Sequence, residues 1–157
     1  MCLALIIDGE VQVGVLGCPN LSVKLNDPNS ERGVLVYGVK GTAAYQTPLP
    51  SLLQDFSLDK GQICQMKKVD DISQATFCES VESSHSSHEE QSQIAKLLGL
   101  RTQSVRMDSQ AKYAALTRGD ADIYLRLPVN LKYEEKIWVV FLPLCADKRI
   151  MRRDRCW

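Results

Sequence analysis

The stretch from Val105 to Pro128 reads VRMDSQAKYAALTRGDADIYLRLP, and its reading decides the fold. Val105-Arg106-Met107 is short and partly apolar, as a strand end is. Asp108 and Ser109 follow, both favourable helix N-cap residues. SQAKYAALTR is dominated by helix formers, with Ala and Leu on one side. Gly119 stands where a helix-terminating glycine belongs. Ala121 to Leu127 reads as a second strand, ended by Pro128. Strand, cap, helix, glycine, strand is a βαβ-type unit, which predicts a layered α/β sheet.

The chemistry of the unit is that of anion recognition. A helix N-terminus offers backbone N–H groups and the positive end of a dipole, so it attracts phosphate. Ser109 stands at that end and adds a hydroxyl. Lys112, three residues on, shares its helix face. Arg126 closes the next strand, near where the ligand-facing edge of such a sheet lies. The same spacing also describes an ordinary capped helix with a solvated Lys and a surface Arg, and caps of this kind outnumber anion sites.

Upstream, Leu3 to Ile7 is apolar without alternation, as a strand buried on both faces is. Asp8-Gly9 is a two-residue hairpin signal. Val11, Val13 and Val15 alternate with Gln12 and Gly14 on the returning strand. Leu21 to Gly33 is a polar loop. Val34 to Val39 and Ala43 to Gln46 form a second hairpin around Lys40-Gly41, so four antiparallel strands are expected in the first 50 residues. Pro48 to Gly61 carries two prolines and reads as a connector and subdomain boundary. Ile63 to Val69 and Ala75 to Ser80 are further strand candidates. Ser86-Ser87-His88-Glu89-Glu90 opens a helix to about Leu98, with Gly99 as its cap.

Lys plus Arg and Asp plus Glu each number 19, which argues against a general nucleic-acid or membrane surface. No apolar run approaches a bilayer-spanning length. The start, MCLALIIDGE, has no basic leader and reads as neither a signal nor a transit peptide. The six cysteines (Cys2, Cys18, Cys64, Cys78, Cys145 and Cys156) form no C-x-x-C pair. They read as reduced thiols in an intracellular, reducing compartment. A zinc site from Cys78, His85 and His88 matches no standard spacing.

DSQAKY, then GDADIYLRLP and YEEKIW, resembles the 3'(2'),5'-bisphosphate nucleotidase family. The similarity extends through FCESVESSHSSHEEQ (residues 77–91) and GVLGCPN (residues 14–20), covers most of the chain from Cys2 to Trp138, and is best with the plant branch. The resemblance implies magnesium-dependent, lithium-sensitive phosphatases related to inositol monophosphatase. It implies a layered αβαβα sandwich, so the fold expected is α/β, with antiparallel hairpins first and a βαβ-type second half. It implies release of the 3'-phosphate from adenosine 3',5'-bisphosphate, giving AMP, and similar action on 3'-phosphoadenylyl sulfate. It assigns nucleoside contact to His85, the first His of its His-Ser-Ser-His stretch, and not to His88. Ser109, Lys112 and Arg126 then hold phosphate. An inositol polyphosphate substrate is the alternative, but two cations favour the bisphosphate nucleotide. The segments expected are 1–50, the end of the antiparallel-sheet subdomain; 51–138, part of an α/β nucleotide-recognition subdomain; and 139–157, a tail foreign to the family.

Two departures set a further expectation. The family's metal-holding motif Asp-Pro-Ile-Asp-Gly-Thr does not occur here: Asp27-Pro28 continues Asn-Ser-Glu. The Asp that normally follows Lys-Ile-Trp is replaced, because Lys136-Ile137-Trp138 runs into Val139. The rest, VVFLPLCADKRIMRRDRCW, resembles nothing in the family. Val codons begin with GT, as introns do, so translation through an unspliced intron accounts for it; a basic, apolar membrane-surface or partner-binding end is the alternative. The expectation is a chain with no magnesium ligands of its own, inactive alone. The alternatives to an active family enzyme are a non-catalytic nucleotide-binding or interaction fragment and an unstable truncation with no activity, and such a chain is expected to associate through exposed sheet edges.

Overall fold

A computed structural model describes residues 1–55, 57–58, 61–81 and 88–125, with His88 by its backbone only. His85, Arg126, Pro128 and the 139–157 tail lie outside the described residues, as do Cys145 and Cys156.

The chain opens on the hairpin that Asp8-Gly9 signals. Asp8 (φ 51°) and Gly9 (φ 81°) both take left-handed backbone, and Ile7 pairs with Glu10 across the turn. That two-residue geometry matches the twist of the strands it joins. β1 (Cys2–Ile7) pairs antiparallel with β2 (Glu10–Ser22). β3 (Arg32–Val39), β4 (Ala44–Pro48) and β5 (Gln62–Ile63) complete a five-stranded sheet in the order β1-β2-β3-β4-β5. The expected strand over Ile63 to Val69 is confined to β5.

The simple alternation of Val11, Val13 and Val15 is corrected by a bulge. Leu5 pairs with Val13 and Ile6 with Val11, so Gln12 is the extra residue. An added residue in a period-two strand reverses which face the side chains take. Val11 therefore turns to the face of Leu16 and is buried, while Val13 and Val15 are only half-buried. The sheet's inner face carries Leu16, Cys18, Val34, Val36 and Ala44. Its outer face leaves Leu3 62%, Leu5 51% and Ile63 51% exposed. The expectation that β1 is buried on both faces therefore fails: β1 is an edge strand, and nothing described covers its outer side.

The proline-bearing connector contains a helix. α1 (Leu49–Gln54) has a proline in its first turn, where the missing N–H costs no hydrogen bond. Its Leu52 is buried against β3 and β4.

The second sheet is parallel. β6 (Phe77–Glu79) lies between β7 (Val105–Arg106) and β8 (Ile123–Tyr124). α2 (His88–Leu97) joins β6 to β7, with Gly99 (φ 67°) after it. α3 (Ala111–Arg118) joins β7 to β8, so the βαβ unit has β6 between its two strands. α3 packs on β2 of the first sheet and on β6 and β8 of the second. A helix between two sheets must be apolar or satisfied nearly all round. Residues 112–117 are accordingly all buried, rather than one Ala/Leu side alone. Gly119 (φ 76°) ends α3, its N–H reaching the Ala115 and Leu116 carbonyls. A Cβ at this position would lie 2.6 Å from the Gln65 carbonyl oxygen. Arg118 ties α3 to the first sheet: its Nη1 donates to the Ser22 carbonyl at 2.8 Å, while Nε donates to Asp120 Oδ2 at 2.7 Å.

Candidate functional site

The strand order β7-β6-β8 reverses direction at the junction of β6 and β8, and ligands of parallel sheets gather outside the carboxyl ends of strands at such a point. The residues at those ends are Ser80 after β6, Met107 and Asp108 after β7, and Leu125 after β8. The first turn of α3 adjoins them.

Lys112, in that turn, is 3% exposed. Its Nζ donates to Ser80 Oγ at 2.5 Å. It also lies 5.2 Å from the centre of the Tyr124 ring, whose face attracts a cation. Tyr124 is held edge-on by Tyr113, ring centres 5.5 Å apart. An ammonium at the N-terminal end of a helix adds its charge to the positive end of the dipole, the combination that favours a bound anion.

Asp108 and Ser109 depart from the capping role expected of them. The residue at the N-cap of α3 is Gln110, in helical backbone and without a side-chain cap bond. Asp108 Oδ1 instead accepts the Val81 backbone N–H at 3.0 Å. The carboxylate serves the end of β6 rather than its own helix. Ser109 is exposed and takes left-handed backbone, φ 53°, uncommon for a residue with a side chain. The helix face expected to carry both Ser109 and Lys112 is therefore not formed: Ser109 precedes α3 and is exposed, whereas Lys112 in its first turn is buried. His85 and Arg126 lie outside the described residues.

Sequence reasoning missed three contributors. Ser80 carries no motif signal. Tyr124 reads only as a strand aromatic. Gln91 is 1% exposed within a polar helix sequence, and its Nε2 donates to the Leu125 carbonyl at 2.7 Å.

The described residues do not fit a magnesium ion. Magnesium needs several carboxylate or water oxygens in octahedral array. Among the described residues no three His, Cys, Asp or Glu side chains cluster as ligands. The nearby acids have other partners: Asp108 holds Val81, Asp120 pairs with Arg118, Asp122 Oδ2 accepts the Thr76 N–H at 2.8 Å, and Glu79 pairs with Arg106 at 3.3 Å. Cys78 is no open thiolate either, since burial pushes its thiol up to about 12 despite the pull of Lys112. Among the described residues no helix is long and apolar enough to cross a membrane.

Residues 1–138 match the inositol monophosphatase family. The chain belongs to that family. A 3'(2'),5'-bisphosphate nucleotidase of Emericella nidulans is 45% identical over 149 residues, covering 88% of this chain and 41% of the relative. A protein of the same name from Schizosaccharomyces pombe is 43% identical, covering 88% of this chain and 38% of the relative. The Arabidopsis thaliana 3'(2'),5'-bisphosphate nucleotidase 1 is 41% identical, covering 88% of this chain and 39% of the relative. Identity thus does not single out the plant branch. The chain spans about two-fifths of the length of these curated relatives. Among solved structures, CysQ from Bacteroides thetaiotaomicron, a bacterial member of the inositol monophosphatase family, superposes with a TM-score of 0.54. At 18% identity it covers 92% of this chain and 49% of its own, which places the fold. The α/β expectation holds: antiparallel hairpins first, then parallel strands alternating with helices.

Proposed function

We propose that this chain recognises adenosine 3',5'-bisphosphate, or the AMP derived from it, at the carboxyl ends of β6, β7 and β8. The observation that carries the reading is the Lys112 ammonium at the N-terminal end of α3, beside Ser80 and the Tyr124 ring. Ser80 Oγ is a neutral acceptor, and a phosphate oxygen is a charged one. An ammonium makes a stronger hydrogen bond to the charged oxygen than to the neutral one. Ser109 supplies a hydroxyl at the same helix start. Arg126 as second cation and His85 as nucleoside contact complete the reading from the family resemblance.

At the level of the whole family protein, the reaction proposed is hydrolysis of the 3'-phosphate of adenosine 3',5'-bisphosphate, or of 3'-phosphoadenylyl sulfate. Magnesium, when bound, would activate water and offset charge on the transferring phosphoryl group. The acids near the strand ends have other partners, and no three His, Cys, Asp or Glu side chains cluster among the described residues, so the 157-residue chain is proposed to bind without hydrolysing. An intracellular, reducing setting is supported by the free thiols of Cys2, Cys18, Cys64 and Cys78.

Titration with nucleotide, with and without the Lys112 ammonium, tests the binding half. Phosphate release in saturating magnesium, with a full-length relative as positive control, tests the other. No release is expected from this chain. Magnesium-dependent, lithium-inhibited turnover by the chain alone would overturn the inactive reading.

A further inference from the structure

Two consecutive residues at the end of β6 are gripped from two positions on either side of the start of α3. Ser80 receives Lys112 Nζ at 2.5 Å, and the backbone N–H of Val81 is received by Asp108 Oδ1 at 3.0 Å. Ser109 lies between the two gripping residues in sequence, at φ 53°. The Met107 N–H adds a third tie, to the Glu79 carbonyl at 3.0 Å. The turn from β7 into α3 is thereby fastened to Glu79, the last residue of β6, and to the two residues after it.

Asp108 is the unexpected member. A carboxylate beside a site for anions repels them, so its presence asks for a reason other than charge. A helix-capping role would supply one, but its bond goes to Val81 and the cap residue is Gln110. We propose that Asp108 is a positioning residue of the nucleotide site: by holding the end of β6, it fixes where Ser109 and Lys112 stand relative to each other. This rests on the binding reading above. Supporting hydrogen bonds of this kind set the geometry of a site without touching its ligand.

The distinction between hydrogen-bond acceptor and charge gives the test. Asp108→Asn keeps an acceptor oxygen and removes the charge, whereas Asp108→Ala removes both. Calorimetric titration of the full 157-residue chain with adenosine 3',5'-bisphosphate is expected to show Asp108→Asn binding as tightly as the parent or tighter. Asp108→Ala is expected to bind about tenfold more weakly, the loss of one charge-assisted bond. Hydrogen exchange at the Val81 amide should be slow in the parent and in Asp108→Asn, and fast in Asp108→Ala. Parent-like affinity in Asp108→Ala, or equal weakening in Asp108→Asn, overturns the inference. If Asp108→Ala does not fold, Asp108→Asn decides alone: retained affinity with a protected Val81 amide supports the inference, and lost affinity overturns it. If binding depends on Lys112 yet ignores Asp108, only this inference falls; if it ignores Lys112, the binding reading falls with it.

Discussion

Lys112 Nζ stands 2.5 Å from Ser80 Oγ, a contact between the first turn of one buried helix and the end of the strand it crosses. The two residues are 32 apart in sequence, and the bond is buried. It forms only when α3 sits between the two sheets in its proper register. The candidate site is therefore a product of the layering rather than of one local motif.

Gly119 is required twice, by its left-handed backbone and by the 2.6 Å approach of the Gln65 carbonyl to any Cβ placed there. Left-handed backbone alone costs a residue with a side chain about 1–2 kcal/mol. Displacing backbone around Gln65 adds to that. Gly119→Ala should lower the unfolding midpoint well beyond the left-handed cost, and Gly41→Ala, with open space around it, should not. Thermal melts followed by circular dichroism compare them; equal shifts would contradict the close packing of α3 on the 65–67 segment.

Thiol chemistry reports the same layering. Burial pushes both Cys64 and Cys78 up from 9.0 to about 12. The folded state therefore holds these protons more tightly than the unfolded chain does. By linkage, their contribution to stability is fully present below about pH 9 and is lost as pH rises toward 12. At pH 8 the two thiols should resist alkylation until denaturant is added, because the thiolate is the reactive form. Mass spectrometry of the labelled native chain checks this; rapid labelling of Cys78 in native buffer would contradict its burial.

The first sheet should make the chain self-associate. β1 is an edge strand bearing Leu3 and Leu5 at 62% and 51% exposure, and edges of this kind pair with other strands. Sedimentation velocity should show association that grows with concentration and weakens in Leu3→Lys and Leu5→Lys. A monodisperse parent monomer throughout would show that the edge is inert.

Much of this was legible in sequence because the relevant signals are local. Asp8-Gly9 names its turn, Gly119 and Gly99 mark helix ends, and VRMDSQAKYAALTRGDADIYLRLP contains the strand, helix and strand observed. What was hidden depends on partners distant in sequence. The Gln12 bulge shows only in the pairing of β2 with β1. α1 was masked by prolines that its first turn tolerates. The exposure of β1 follows from its place in the sheet order, which apolar composition does not encode. Asp108 has the identity of a cap, and only the nearness of Val81 directs it elsewhere. Lys112 falls in the first turn of α3 while Ser109 lies just before that helix, so the helix spacing that linked them does not apply, and Ser80 and Gln91 gain meaning only once the strand ends assemble.

The most direct test of the account is calorimetric titration of adenosine 3',5'-bisphosphate into the 157-residue chain and into Lys112→Met, which keeps the buried stem and removes the ammonium. The parent should bind, and Lys112→Met should lose about 1.5–3 kcal/mol of binding free energy, the worth of a charge-assisted hydrogen bond, with its far-UV circular dichroism unchanged. Absence of binding by the folded parent, or equal affinity in a folded Lys112→Met, would contradict the assignment of the strand ends around Ser80 and Lys112 as the nucleotide site.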